Sequence, residues 1–267
     1  GDALRVCGAR VHELPNLEWF LQFAQGTRID SWRAWIAREI GAEFIATGPV
    51  AQLAAVSVPT IREPSTAWFA TPVICEVRLD HVRMHDRGLL RIEPAERAAW
   101  CAEFAQAFGP GYQLHDAGER GFLMTGIAET SASGVDPARV LGADIAHALP
   151  SGAAAGELRR LTAEIEMWLH AAALNATRER ERRSRISALW LWGGGPSAWE
   201  PGVPKVWRPS SSSLRLWGGD PWLTALAWLG KLSPAGSPGG FLQVDAATAH
   251  AVVELTPMSG PAAESLP

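Results

Sequence analysis

The segment 186–196, ISALWLWGGGP, constrains the fold of this chain more than any other part of it. Its apolar run, Ile186–Trp192, has the length of a buried strand, and three glycines and a proline follow directly. The letters LWGG return at 216–219, at the end of a second predicted strand, Leu214–Trp217. We therefore predict a sheet, and we interpret these two places as strand-to-loop exits of that one sheet.

Helical patterns alternate with strand patterns along the chain. The predicted helices begin near Pro15, Ser31, Pro94, Gly156 and Pro221, the fourth running to Arg182. A strand is predicted near Ala67, a hairpin at 112–125, and a hairpin or two strands at 241–244 and 251–255. This alternation predicts an α/β fold, with a mostly parallel or mixed sheet flanked by helices.

The chain is expected to form one domain. Its 267 residues fit a single large α/β unit. We divide it into a helical N-terminal segment, 1–60, a sheet-containing core, 65–256, and a mobile tail, 257–267.

Composition excludes several classes of protein. With 24 basic and 28 acidic residues the chain carries a net charge of −4, so it lacks the positive field of a general nucleic-acid binder. No apolar run reaches the roughly 18 residues of a membrane span. Cys7, Cys75 and Cys101 lie far apart without metal-ligand spacing. We expect a cytoplasmic protein with inert thiols, no metal and no cofactor.

Tryptophan is concentrated in one part of the chain. Eight of the 13 tryptophans fall within residues 168–228, around the two Gly-Gly exits. A coding bias explains tryptophan in place of tyrosine, but it does not explain this clustering. Trp190 and Trp192 share one face of their strand. The rings are predicted to line either the core or a cleft at the carboxyl edge of the sheet.

Candidate ligand-binding residues fall into three groups, and each group has a structural alternative. Asp80 and His81, with His85 and Asp86 nearby, are the densest cluster of potential metal ligands; the alternative is a hydrogen-bonded Asp–His pair at a strand end. Asn175 and Arg178 with Glu179 either hold an anion or tie the helix to the next loop. The third group is either a phosphate-cradling loop with a stacking wall or a tight turn. It consists of Trp192, Gly193, Gly194 and Gly195. The ninth candidate is Glu164, which also fits an exposed ladder of charged residues with Arg160.

Three stretches resemble one uncharacterised bacterial family. The first combines Thr71-Pro72 with Asp80-His81-Val82. The second contains Arg159-Arg160-Leu161, Glu164-Ile165, Met167, Leu169, Asn175 and Arg178-Glu179, and the third is Ile186–Gly195. Over about residues 65–230 the chain resembles the RpfE-type regulatory proteins, which are loosely described as cofactor-independent phosphoglycerate mutases.

The resemblance implies an alkaline-phosphatase-like fold or a remnant of it. Such mutases use two metal ions, a Ser or Thr nucleophile and several Asp and His ligands. This chain lacks the Asp-Gly-x-Gly-Asp-like start and the Gly-Asp-His motif. The resemblance therefore implies a non-catalytic regulatory or ligand-sensing relative, with a small anionic ligand beside Arg178 and Trp192. The rival hypotheses are a metal-dependent phosphomutase or phosphatase that uses Asp80 and His81, and a carbohydrate-binding module that uses the tryptophans.

Overall fold

The computed structural model describes residues 31–46, 48–118, 121–127, 132–196, 214–217, 220–232 and 250–253. The helices are α1 (Trp32–Glu39), α2 (Glu43–Ala46), α3 (Val50–Val56), α4 (Pro94–Phe108), α5 (Ala155–Ala171), α6 (Ala173–Arg180) and α7 (Pro221–Leu229). The strands are β1 (Trp68–Val77), β2 (Val82–Leu89), β3 (Gln113–Asp116), β4 (Phe122–Thr125), β5 (Ala188–Trp192), β6 (Leu214–Trp217) and β7 (His250–Val253).

Strand β1 is the centre of a five-stranded antiparallel sheet. Strand β5 pairs with β1 along Phe69–Val73. Strand β4 pairs with the start of β1, at Trp68–Ala70, and β3 continues the sheet beyond β4. Strand β2 pairs with the later part of β1, from Val73 to Val77. Phe69 and Ala70 of β1 pair with both β4 and β5, and Val73 pairs with both β2 and β5. Strands β4 and β2 therefore lie along the edge of β1 that is opposite to β5.

Helices cover both faces of this sheet. Phe69 and Val73 of β1 and Trp190 and Trp192 of β5 belong to one core cluster, which also contains buried residues of α1, α3 and α7. The alternate residues belong to a second cluster with α4 and α5; they are Trp68, Ala70, Leu189 and Leu191. Since successive strand residues point to opposite faces, one strand supplies both cores. The predicted α/β class is confirmed.

Several local predictions are confirmed at their capping residues. The Oγ of Ser31 accepts a hydrogen bond from the Ala34 amide at the start of α1. Helix α4 begins at Pro94 and ends before Gly109. Asp220 Oδ1 accepts from the Trp222 amide, 2.8 Å away, at the start of α7. The predicted hairpin forms as β3 and β4.

The direction and membership of the strands differ from the prediction. The sequence predicts a mostly parallel or mixed sheet; every pairing in the five-stranded sheet is antiparallel, and among the described residues parallel pairing occurs only in the small second sheet. There β6 pairs with β7 in parallel, so the two LWGG exits do not belong to one sheet. The repeated letters predict where a strand ends, but pairing depends on distant strands. The predicted strand at 241–244, the first helix near Pro15 and the tail lie outside the described residues.

The predicted long helix 156–182 is two helices. Ala172 adopts an extended conformation, with φ −61° and ψ 131°, and separates α5 from α6. At the break, Leu169 O accepts from the Ala172 amide at 3.3 Å and from the Nδ2 of Asn175 at 2.8 Å. A buried side chain therefore replaces the helical hydrogen bond that the periodicity predicts. In the described part of the chain, no helix has the length and apolar character needed to cross a membrane.

His115 links three segments of the sheet's edge. Its ring lies in β3, with Nδ1 3.0 Å from Thr60 Oγ1 and Nε2 3.0 Å from Thr125 Oγ1. Thr60 belongs to the loop after α3, and Thr125 belongs to β4. Burial lowers the pKa of His115 below its ordinary value, because desolvation disfavours the imidazolium. The folded protein therefore holds this ring neutral.

This burial predicts a pH-dependent stability. As the pH falls below about 6.5, the unfolded chain gains a proton at His115 before the folded chain does, so the free energy of unfolding decreases. The stability that this neutral ring contributes is complete above that pH and is lost as the pH falls toward the folded pKa. Urea unfolding from about pH 7.5 to about pH 5 measures the slope. We expect a shallower slope in His115→Gln. The exposed His170→Gln is the control, and an equal slope in all three proteins would contradict the assignment.

Candidate functional site

The sequence-predicted site residues lie in four places, one of which is Glu164 on α5. Asp80 and His81 are at the β1–β2 turn, Asn175 and Arg178 are on α6, and the segment 192–195 ends β5. In the part of the chain that the structure describes, no hydrogen bond or ion pair joins one of these places to another. Each of these places therefore has its own contacts.

Asn175 and Arg178 tie α6 to the chain around it. Asn175 is 1% exposed, its Nδ2 donates to Leu169 O and Ile186 O, and its Oδ1 accepts from the Ile186 amide at 2.8 Å. The Nε of Arg178 donates to Ser184 O at 2.6 Å. Of the two roles that the sequence leaves open for this pair, the tie is the one that the contacts make.

Glu96 completes this tie. Its Oε1 is 2.6 Å from Arg178 Nη1, and its Oε2 is 2.6 Å from Arg183 Nη1. Burial acts to raise the pKa of Glu96, but the hydrogen bonds from Arg178 and Arg183 hold it below its ordinary value. Glu96 lies on α4, 82 residues before Arg178, and no spacing in the sequence indicates the pair. Arg178 therefore already has a buried anion, which is the protein's own.

Glu164 stands apart from this cluster. It lies on the exposed side of α5, with its Oε1 3.7 Å from Arg160 Nε. This is the i, i+4 ladder that the sequence predicts as the structural alternative.

The three glycines after β5 bring the chain close to α3 and Trp68. Gly193 has a φ of +71°, and its carbonyl accepts from the Ala51 amide at 2.8 Å. The carbonyl of Gly195 accepts from Gln52 Nε2 at 2.8 Å. A Cβ on Gly194 would lie 2.3 Å from the indole ring of Trp68. The loop therefore uses its glycines for close packing.

Trp192 is part of the core. Its ring stacks on Phe69 with centroids 4.7 Å apart, and its Nε1 donates to Thr71 Oγ1 at 2.9 Å. The guanidinium of Arg33 lies 5.1 Å from the ring centroid of Trp192 and 4.3 Å from that of Trp32. The tryptophans at the end of β5 thus line the core, while Trp217 in the second exit lies among residues whose side chains are not described.

Arg33 is a buried charged residue that sequence reasoning did not single out. Its Nη2 donates to Asp220 Oδ2 at 2.6 Å and its Nη1 to Asp136 Oδ2 at 3.2 Å. The guanidinium thus joins α1 to Asp136 and to Asp220, the N-cap of α7. An arginine between tryptophans on a predicted helix is the only signal for it, because both carboxylates are more than 100 residues away in sequence.

Asp80 and His81 are accessible. The Oδ1 of Asp80 is 2.6 Å from His81 Nδ1, and this hydrogen bond lowers the pKa of Asp80. Asp80 is 85% exposed. An open hollow at this turn is lined by Val77, Arg78, Leu79, Asp80, His81 and Arg83. Among the described residues, no group of three His, Cys, Asp or Glu side chains is arranged to hold a metal ion.

The two described thiols are weakly acidic. Burial raises the pKa of Cys75 to about 11, with Glu166 adding to the effect, and burial also raises the pKa of Cys101 to about 11. Since the thiolate is the nucleophile, these raised pKa values favour the less nucleophilic thiol form near neutral pH.

Comparisons with known proteins do not show a family for this chain. No family model matches the chain, and no curated protein matches it. Among solved structures, it is similar to a cofactor-independent phosphoglycerate mutase from Thermoplasma acidophilum DSM 1728, with 16% identity and a TM-score of 0.38. The similarity covers 72% of this chain and 52% of the mutase, so the chain spans about half the length of that enzyme. A similarity at this TM-score does not establish a shared fold, and no family model or curated protein supports the RpfE-type resemblance.

The tie at Arg178 predicts a large effect on stability. Arg178→Ala removes a buried cation from Glu96 and from Ser184 O, so we expect the free energy of unfolding to fall by about 3 kcal/mol. The control is Arg180→Ala on the same helix, where an exposed side chain is removed and the change should stay within about 0.5 kcal/mol. Chemical denaturation measures both. Equal stabilities of the two variants would contradict the structural role of Arg178.

The close approach at Gly194 predicts a second effect. Gly194→Ala drives a methyl group into the buried Trp68 ring, so we expect a loss of about 1–3 kcal/mol. Gly156→Ala is the matched control, because a Cβ there meets nothing within 4 Å in the first turn of α5. Thermal and urea unfolding should find the control unchanged or slightly stabilised. A ligand-binding loop without packing constraint would tolerate both substitutions equally.

Proposed function

We propose that this protein is a non-catalytic regulatory module that acts by contact with a protein partner. The observation that carries the proposal is an exposed apolar surface on the hairpin formed by residues 75–84, which we call the hairpin arm. Val77 is 84% exposed and Leu79 is fully exposed at its end. Large exposed apolar side chains that lie together mark contact surfaces more often than isolated ones do.

The apolar face of the arm continues the protein core. Cys75 pairs with Met84, and Val77 pairs with Val82, so these four side chains lie on one face. Met84 is fully buried and Cys75 packs against the same core cluster, whereas Val77 is exposed. Leu79 follows in the turn. The arm therefore carries an apolar stripe from the core into solvent, where burial by a partner would be favourable.

The opposite face of the arm is polar and internally paired. Arg78 Nη2 donates to Glu76 Oε2, and His85 Nε2 lies 3.6 Å from Glu76 Oε1. Arg83 Nη2 donates to Asp86 Oδ1 at 2.7 Å. The paired groups are two arginines, two acidic residues and one histidine, so this face has no large excess of either sign and does not select a highly charged partner. The contact proposed here is mainly apolar.

Asp80 and His81, the accessible members of the sequence-predicted site, lie at the tip of this arm. We propose that they belong to the contact surface. A small anionic ligand would find the cationic groups of Arg78 and Arg83 beside them in the hollow. The regulatory role in the sequence resemblance is compatible with a surface of this kind.

The test compares capture by three proteins. The full chain, the double variant Val77→Lys with Leu79→Lys, and the control Met167→Lys are immobilised and exposed to a lysate of the organism that encodes them. Met167 is also largely exposed, but it lies on α5. We expect a retained partner, including further copies of the chain, with the wild type and the control but not with the arm variant. A retained set that ignores the arm would contradict the proposal.

The phosphatase alternative has a separate outcome. The same preparations are assayed with p-nitrophenyl phosphate in Mg²⁺ and in Mn²⁺, with His81→Ala as the control. Turnover that disappears in His81→Ala would replace the contact proposal by the metal-dependent enzyme. We expect equal background rates with all proteins.

A further inference from the structure

We infer that the partner of the hairpin arm is a second copy of this chain, paired across the free edge of β1 about a two-fold axis at Val77. The inference rests on the proposed function, in which the arm is a contact surface, and it names the occupant. Its evidence is the unpaired backbone at Val77 and the order of charges on either side of it.

One edge of β1 loses its neighbour within the strand. Strand β5 pairs with β1 only as far as Val73. Next to it, the Ser187 amide donates to Val73 O at 2.8 Å, and Ser187 Oγ donates to Cys75 O at 3.4 Å. In the described ranges, no strand or loop continues along this edge at Glu76 and Val77.

The outer edge of β2, in contrast, is covered. The Met84 amide donates to Ala143 O at 3.0 Å, and the Ile145 amide donates to Val82 O at 3.0 Å. The segment 142–145 therefore occupies this edge. Among the described residues, the side of the arm that is open to another strand is therefore the β1 side.

The ladder sets the direction of the Val77 backbone. Val82 directs its carbonyl to Ile145, away from β1. Val77 is the partner of Val82, and the outward carbonyl of Val82 makes this a non-hydrogen-bonded pair of the antiparallel ladder. Both residues of such a pair direct their N–H and C=O groups away from each other, to the outer edges. Val77 thus directs one donor and one acceptor to the free edge, and none of the described residues binds them. An exposed edge of this kind is a template for another strand.

A two-fold axis at Val77 satisfies these groups and pairs opposite charges. Antiparallel pairing places Val77 opposite Val77 of the second copy, where each residue exchanges both backbone hydrogen bonds. In this register Glu76 lies opposite Arg78 of the second copy, and the axis repeats the pair. A slip that centres the axis on Glu76 or on Arg78 places like charges opposite each other, which is unfavourable. The sequence Glu76-Val77-Arg78 is therefore complementary to itself when antiparallel.

The apolar side of the same register also matches. Leu79 follows in the turn, so in this register its side chain comes near Cys75 of the second copy; Ser187 Oγ already donates to the Cys75 carbonyl, so the contact there is between side chains. The fully exposed leucine is thereby placed beside an apolar surface of the other arm, and the two apolar stripes join. The interface is isologous, so a closed dimer is expected, without further growth.

Charge reversal tests this register. Sedimentation velocity over a concentration series should find a reversible monomer–dimer equilibrium for the full chain. Glu76→Arg and Arg78→Glu, each alone, place like charges opposite each other twice, so we expect each to weaken association by about tenfold or more. Met167→Lys is the control and should dimerise as the wild type does.

Mixing the two single variants is the decisive measurement. One copy then has basic side chains at both positions and the other has acidic side chains at both, so the mixture should dimerise where each variant alone does not. A change within one chain cannot produce this complementation. A wild type that stays monomeric over the series, or a mixture that does not associate, would overturn the inference. If capture of a different protein still depends on Val77 and Leu79, the proposed function stands without the dimer; if neither is found, both are wrong.

Discussion

Most of this structure depends on one strand, β1, which serves two cores and pairs on both edges at the same time. Phe69 and Val73 face one core, and Trp68 and Ala70 face the other. This is possible only where neighbouring strands satisfy the backbone on both sides. Strand β5 pairs with β1 from Phe69 to Val73. At Val77, beyond the end of this pairing, none of the described residues binds the outward backbone groups of β1. The same strand that organises the core therefore becomes the exposed arm a few residues later.

Buried polar groups hold the surrounding helices to this sheet. Arg33 joins α1 to α7 through Asp220, and Glu96 joins α4 to α6 through Arg178. Each charged group is buried with its counter-charge, which is the arrangement that avoids the desolvation penalty of a lone ion. These clusters use the residue types that a ligand site would use. Asn175 and Arg178 are residue types that often bind ligands, but here they bind backbone carbonyls and Glu96 of the protein itself.

The local elements could be predicted, whereas their assembly could not. The caps at Ser31 and Asp220, the proline start of α4 and the hairpin at Asp116-Ala117-Gly118 depend on residues only a few positions apart, so the sequence contains the whole signal. The break at Ala172 is different, because it depends on Asn175. That side chain donates hydrogen bonds both to Leu169 O before the break and to Ile186 O beyond α6. The partners of β5 and β6 differ for the same reason, since identical letters end both strands. Of the predicted site, the pair Asp80–His81 has accessible side chains at a surface hollow, and its place at a strand end was one of the alternatives that the sequence offered.

The sequence by itself determined the α/β class, the positions of most helices and strands in the described ranges, and the apolar character of the rings at the end of β5. These properties arise from periodicity and from short-range capping, which act within a few residues. Only the tertiary structure decided that Arg178 binds Glu96, that the glycines at 193–195 pack against Trp68, and that Val77 ends on an open edge. Each depends on segments distant in sequence that fold to the same place, and a linear pattern does not specify that placement.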